Sequence, residues 1–238
     1  MHRLSYDLHI HSCLSPCGDE DMTPANIVGM SALKNLDVIA VTDHNSCKNC
    51  PAVLHWAENY NLIALPGMEL CTIEEVHALC LFADLDAAMR FDDYVYSKLI
   101  KIQNKESVFG KQEIYNELEE VVGTEPYLLI NATEIPFSDL GELMREFHGI
   151  YIPAHLDKNS NSLLSNLGFV PPESDFTVAE LANLTHQEEI VIRNPYLKQC
   201  NIISNSDAHM LGNINEAIHF MESPGRKKED ILKRITLR

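Results

Sequence analysis

The sequence predicts an α/β fold with a largely parallel sheet, closed as a barrel, and three observations lead there. Apolar runs of strand length alternate with runs of helical period through the first third of the chain. A length of 238 residues suits one large domain of this kind, with no linker or internal repeat to divide residues 1–238. Each apolar run is also closed by histidine or carboxylate side chains. A parallel barrel gathers such strand ends on one face.

The elements follow in order. LSYDLHI (4–10) reads as a strand, and PANIVGMSALKN (24–35) as a helix with Thr23 at its N-cap and Pro24 in its first turn. DVIAVTDH (37–44) is short and apolar, as a buried parallel strand is. Residues 51–60 read as a helix, and LIALPGMEL (62–70) and VHALCLF (76–82) as strands. The pattern then changes: residues 85–105 and 111–122 are amphipathic and predict a helical insertion spanning about 85–125, interrupted at Gly110. YLLIN (127–131) and GIYIPAHLD (149–157) return to strands around a helix near 138–148. PPESDFTVAE (171–180) reads as a loop running into a helix. CNIISNSDAH (200–209) and AIHFMES (217–223) read as strands, and KKEDILKRITL (227–237) as a closing helix.

Composition narrows the function. Hydrophobic residues make up 45% of the chain, ample for a core, while 18 basic against 35 acidic residues leave a formal charge of −17. That surface repels a phosphate backbone, so neither extended nucleic-acid binding nor an anionic membrane is expected as a partner. Small phosphate esters stay open, because bound cations reverse the field locally. There is no apolar run long enough to span a bilayer and no apolar leader in MHRLSYDLHIHS. Seven cysteines, an odd count, argue against a disulfide framework. A cytoplasmic protein is the resulting expectation.

The chemistry lies in the strand ends. His9 and His11 share a strand face at i and i+2, as do Asp207 and His209. Between them come Asp43-His44, Glu69, His77, and His155 with Asp157, and the loop after the first strand adds Asp19, Glu20 and Asp21. Imidazole and carboxylate together suit Zn²⁺, Mn²⁺ or Fe. His9, His11, Asp19, His44, Glu69, His77, His155, Asp207 and His209 are too many ligands for one ion and enough for two or three. An isolated H-x-H is a weak signal; the ordered set, each member after an apolar run, is a strong one.

In the motifs DLHIHS (7–12), TDHN (42–45), GMEL (67–70), VHALCLF (76–82), PAHLD (153–157) and NSDAH (205–209) the chain resembles the PHP family, named for polymerase and histidinol phosphatase. The resemblance implies a distorted (β/α)7 barrel, a trinuclear centre of divalent ions, and hydrolysis of a phosphoester by a hydroxide bridging the ions. It implies that His9, His11, Glu69 and Asp207 hold one ion, that Glu69 bridges to a second held by His77 and His155, and that His44, His209 and an early-loop residue hold the third. Counting back from Thr23 puts Asp19 in that loop position, with Glu20 as its competitor.

Asp7 and Asp43 are candidates to orient ligand imidazoles, and Asp157 to do the same or to accept a proton. Lys48, Lys158, Arg193 and Asn45 are candidates for the substrate phosphate, with Asn205 a further hydrogen-bond donor. The substrate expected is a small phosphorylated molecule, with a nucleotide or an oligonucleotide end as one form and histidinol phosphate as another. Two rivals are an amidohydrolase-like metal hydrolase, for which no strand supplies a carboxylated-lysine candidate, and a non-catalytic PHP module. Cys13, Cys17, Cys47 and Cys50 sit in adjoining loops with spacings that a structural zinc could use, although unlinked thiols are the simpler reading. His2, His55, His148, His186 and His219 read as ordinary.

Overall fold

A computed structural model describes residues 1–237. Ten strands and eight α-helices alternate along it: β1 His2–Ile10, α1 Pro24–Leu33, β2 Val38–Val41, α2 Cys50–Glu58, β3 Ile63–Cys71, β4 His77–Phe82, α3 Leu85–Lys98, α4 Glu106–Phe109, β5 Glu113–Tyr115, β6 Val121–Thr124, α5 Leu140–Glu146, β7 Gly149–Pro153, α6 Leu163–Leu167, β8 Val178–Glu180, α7 Gln187–Arg193, β9 Asn201–Ile203, β10 Phe220–Ser223 and α8 Lys228–Ile235.

The central sheet has the order β10-β1-β2-β3-β4-β7 and is mixed rather than parallel. Strands β1, β2 and β3 run parallel, as their βα connections require. Strand β4 follows β3 after a short turn and so pairs with it antiparallel, as it does with β7, and β10 lies antiparallel on β1. The parallel pair β8-β9 continues the curl. Leu156 N–H donates to Glu180 C=O beside β7 at 2.9 Å, and a bridge joins Ala208 to Ile10 of β1. Leu8, Ala40, Leu65, Leu79, Ile152 and Val178 fill the inside of the curl.

Strand β1 carries a bulge. Tyr6 and Asp7 pair with Val38 and Ile39, but Ile10 pairs with Val41, so one extra residue sits on β1. Below the bulge Leu4, Tyr6 and Leu8 face inward; above it Ile10 packs outward against α1 and α2, which turns His9 and His11 to the inside. Simple alternation from Leu8 would have sent His9 outward.

Three stretches depart from the expectation. Of the helical insertion only α3 and the single turn α4 are helical; residues 113–124 form the hairpin β5-β6. Asn116 decides this, because its Oδ1 accepts the N–H groups of both Leu118 and Glu120 at 2.9 Å, folding the chain back between the β-formers Ile114-Tyr115 and Val121-Val122. YLLIN is irregular, with an isolated bridge at Tyr127 and side-chain bonds from Asn45 and Gln112 in place of a strand ladder. The end of PPESDFTVAE is strand β8, not the start of a helix. Thr23 does stand at the N-cap of α1 with an extended backbone, but its side chain makes no capping bond.

Gly67 lies two residues before Glu69. A Cβ there would meet Leu81 Cδ2 at 2.7 Å and Cys80 O at 2.8 Å, on the neighbouring strand. Gly67→Ala is therefore expected to cost about 1–3 kcal/mol, the usual range for overpacking, read as a lower urea midpoint at unchanged slope.

Candidate metal centre

The ends of β1, β2 and β3 meet the segments after β7 and β9 around one buried carboxylate. Glu69 is 1% exposed. Its Oε1 lies 3.2 Å from His9 Nε2, 3.0 Å from His77 Nδ1 and 3.1 Å from His155 Nε2. Its Oε2 lies 3.4 Å from His11 Nε2 and 3.0 Å from His44 Nδ1. Asp207 Oδ1 closes the group at 3.2 Å from His11 Nε2 and 3.3 Å from His9 Nε2. His77 comes from the beginning of β4, not from a carboxyl end. The antiparallel turn sets it opposite Cys71 at the finish of β3.

Neighbouring groups fix how the imidazoles present themselves. Ser15 Oγ donates to Asp43 Oδ1 at 2.7 Å and accepts from His44 N–H, so it receives the His11 Nδ1 proton at 3.1 Å. His11 thus turns an Nε2 lone pair into the site. His209 Nδ1 donates to the Asp207 carbonyl at 2.8 Å, with the same result. His9 Nδ1 faces both oxygens of Glu180, at 3.1 and 3.2 Å.

Burial is the largest influence on every one of these groups, and neighbouring charge overturns it at some of them and not at others. Burial would depress the His9 imidazole, but Glu180, Asp207 and Glu69 outweigh it and hold the pKa well above the usual value. His77 is likewise raised against burial, to about 10, chiefly by Glu69. Burial wins at His11, pushed down to about 3, and at His44, which is also lowered. Glu69 is held far below the carboxylate range despite its burial, by His77, His9 and His44. Burial raises Asp7 and Asp43.

This donor set fits divalent ions. Glu69 faces five imidazoles, more than the roughly four acceptor positions of a carboxylate. Buried His44 Nδ1, His77 Nε2 and His155 Nδ1 have no hydrogen-bond partner among the described residues, although His44 Nδ1 lies close to Glu69. Three overlapping groups have all ligand atoms within 4.8 Å of one another: His9, His11 and Glu69; His44, Glu69 and His77; and His11, Cys17, His44 and His209. His155 and Asp207 hold their places with left-handed backbones, φ 31° and 51°.

The structure thus brings together eight of the nine expected ligands and leaves one outside. Asp19 is exposed and its Oδ1 accepts Asp21 N–H at 3.0 Å; Glu20 is also exposed and lines a different cavity. Cys17 occupies the place reserved for them. Cys13, Cys47 and Cys50 belong to no ligand group among the described residues, and the Cys47 and Cys50 thiols both turn to Gly67 O.

Several supporting residues differ from expectation. Asp7 touches no imidazole: it accepts Ser206 and Asn215 N–H and so anchors the segment bearing Asp207 and His209. Asp43 acts on His11 only through Ser15. The carboxylate that does hold a ligand imidazole is Glu180, which sequence reading missed. Asn45 spends its amide on the backbones of Leu129, Asn131 and Cys71, so it is structural rather than substrate-facing. Lys48 pairs with Glu125 and lies over the Tyr96 ring, and it does not line the pocket that holds Glu69 and the imidazoles. Lys158 does line the site, bonded to Asp207. It also edges a groove of about 520 Å³ whose walls include Asp157, His186 and Arg193. There Asp157 caps the Ala182 and Asn183 N–H groups and holds His186 Nδ1 at 2.9 Å, while Arg193 pairs with Glu189.

By sequence, the chain matches no protein-family model and no curated protein. By structure it is similar to the lesion-specific endonuclease PfuEndoQ from Pyrococcus furiosus, with TM-score 0.66 and 19% identity over 99% of this chain and 56% of the other. Endonuclease Q in complex with a 27-mer duplex bearing an abasic lesion superposes at TM-score 0.61, with 19% identity over 98% and 56% of the two chains. A candidate metal-dependent phosphoesterase from Bifidobacterium adolescentis matches at TM-score 0.59 and 15% identity over 95% of each chain. This chain therefore spans just over half the length of the endonuclease. The shared feature is the fold. No helix among the described residues is long and apolar enough to cross a membrane.

Proposed function

We propose, from this shared fold, that the chain is a metal-dependent hydrolase of phosphoester bonds. The observation that carries the reading is Glu69, one buried carboxylate ringed by the imidazoles of His9, His11, His44, His77 and His155. The seven strands β1, β2, β3, β4, β7, β8 and β9 are then the staves of a distorted barrel. The ligand atoms would divide among three divalent ions, of zinc, manganese or iron: His9, His11, Glu69 and Asp207 would hold one, Glu69, His77 and His155 another, and the His44–His209 corner the third. Such ions supply Lewis-acid stabilisation of a phosphoryl group and activate water at neutral pH.

The protein's own groups do the rest. Lys158, its charge held by Asp207 and its pKa raised against its partial burial, faces the site as the cation for a phosphate oxygen. Glu180, and Asp43 through Ser15, keep His9 and His11 aimed inward. The groove beyond Lys158, which His186 lines with its Nδ1 held by Asp157, is the candidate place for the leaving group.

A small phosphomonoester, a nucleotide, histidinol phosphate or an oligonucleotide end suits this groove and the −17 charge. The duplex bound by endonuclease Q favours a second reading, a nucleic-acid phosphodiester. Metal-loaded protein would be offered p-nitrophenyl phosphate, bis-p-nitrophenyl phosphate and an abasic duplex, with and without chelator. Chelator-sensitive turnover of the monoester with none of the duplex supports the first reading; duplex cleavage supports the second. No hydrolysis of any of them by protein that holds metal would overturn both. Lys158→Ala is expected to raise KM for the monoester about tenfold, the loss of one charge-assisted contact.

A further inference from the structure

The third ligand group contains a residue the family pattern does not lead one to expect. The loop after β1 turns tightly: Ser15 N–H bonds Ser12 O, Gly18 N–H bonds Ser15 O, and Asp19 N–H bonds His209 O at 2.9 Å. A Cβ on Gly18 would sit 2.2 Å from Ser12 O, so the backbone closes on itself here. That turn carries Asp19 away from the site and sets Cys17, itself solvent-exposed, at the rim of the pocket lined by His44 and His209. The Cys17 sulfur lies within 4.8 Å of the ligand nitrogens of His11, His44 and His209. The His11 ring stacks on His209, with centroids 4.4 Å apart, and lies tilted against His44 at 4.6 Å. His44 is 3% exposed, with its Nδ1 3.0 Å from Glu69 Oε2, so one buried ring belongs both to the Glu69 group and to this corner.

We propose that Cys17 is a thiolate ligand, which makes the His44–His209 corner a mixed nitrogen and sulfur site for a thiophilic divalent ion. Zinc, cobalt or ferrous iron would be held there in preference to magnesium, calcium or manganese, because a soft sulfur donor replaces a hard carboxylate. On binding, the sulfur–hydrogen bond breaks, the metal–sulfur bond forms and the proton leaves to water. The inference rests on the metal-hydrolase reading and sharpens it: the ions of one centre would differ in chemistry.

X-ray absorption of the zinc-loaded full chain tests it, beside elemental analysis of the same sample. A sulfur shell at about 2.3 Å is expected, lost in Cys17→Ser and kept in Cys13→Ser. Cys17→Ser should also lose about one metal equivalent, with affinity at that position down by more than the 10–100-fold typical of an outer partner. In cobalt-substituted protein the thiolate-to-metal charge-transfer band should vanish with the same variant. Cys17→Asp should bring back the lost equivalent with oxygen in place of sulfur, now favouring manganese. Bound metal and chelator-sensitive hydrolysis without a sulfur shell, or a shell that persists in Cys17→Ser, overturns the proposal and leaves the hydrolase reading standing. Protein that binds no metal after reconstitution overturns both.

Discussion

Replacing Glu69 by Gln is expected to remove at least two of the bound ions and to lower kcat by about 10³-fold or more, the upper end of losses from deleting one electrostatic stabiliser. The amide keeps the shape of the carboxylate but loses its charge, and turns an N–H donor toward imidazoles that already crowd it. The metal-free proteins separate the electrostatic part. His77 is held up near pKa 10 and Glu69 far down, against their ordinary values of 6.5 and 4.5. A raised histidine contributes stability that is full below 6.5 and disappears as pH rises through about 10; a depressed carboxylate contributes above 4.5 and loses it as pH falls. The melting-temperature gap between metal-free wild type and Glu69→Gln should therefore be widest between pH 4.5 and 6.5 and narrow toward pH 10. A gap independent of pH would show that Glu69 is not the counter-charge of these imidazoles.

Glu180 gives the second large effect. One oxygen accepts Asn205 Nδ2 at 2.7 Å, the other accepts His155 N–H at 2.9 Å, and both face His9 Nδ1. One side chain thereby registers ligands from β1 and the segments after β7 and β9. Glu180→Gln is expected to weaken metal binding about 10–100-fold, the range for groups that orient a ligand imidazole, with kcat largely restored at saturating metal. Glu180→Ala should also destabilise the fold, since it strands buried donors at about 1–3 kcal/mol each. Activity that stays low in Glu180→Gln with full metal content would assign Glu180 a direct part in the reaction.

Most of the candidate ligands were legible because they are polar residues at the end of an apolar run, a local signal; His77, which opens one, is the exception. Glu180 obeys the same rule after Phe176-Thr177-Val178-Ala179, but its strand is only three residues long and its sequence runs on into LANLTHQEEI with helical period. The hairpin at 113–124 was masked in the same way: its charges mimic a helix face, and only the Asn116 turn separates the two outcomes. Pairing partners left no local trace. Nothing in VHALCLF says that the strand reverses, and so that His77 reaches the centre from its beginning. The bulge in β1 and the turn that exchanges Asp19 for Cys17 depend on contacts with β2, Ser12 and His209, which no spacing encodes.

The left-handed backbones at His155 and Asp207 set function against folding. Residues other than glycine, asparagine and aspartate occupy that region at a cost of about 1–3 kcal/mol, so the protein bears it at His155 and much less of it at Asp207. A library randomised at these positions and selected only for heat resistance, in chelator, should drift toward glycine and asparagine at both. The same library selected for turnover should keep histidine and aspartate. Divergence of the two pools would mark these codons as places where inheritance of the catalyst is maintained against the preference of the chain.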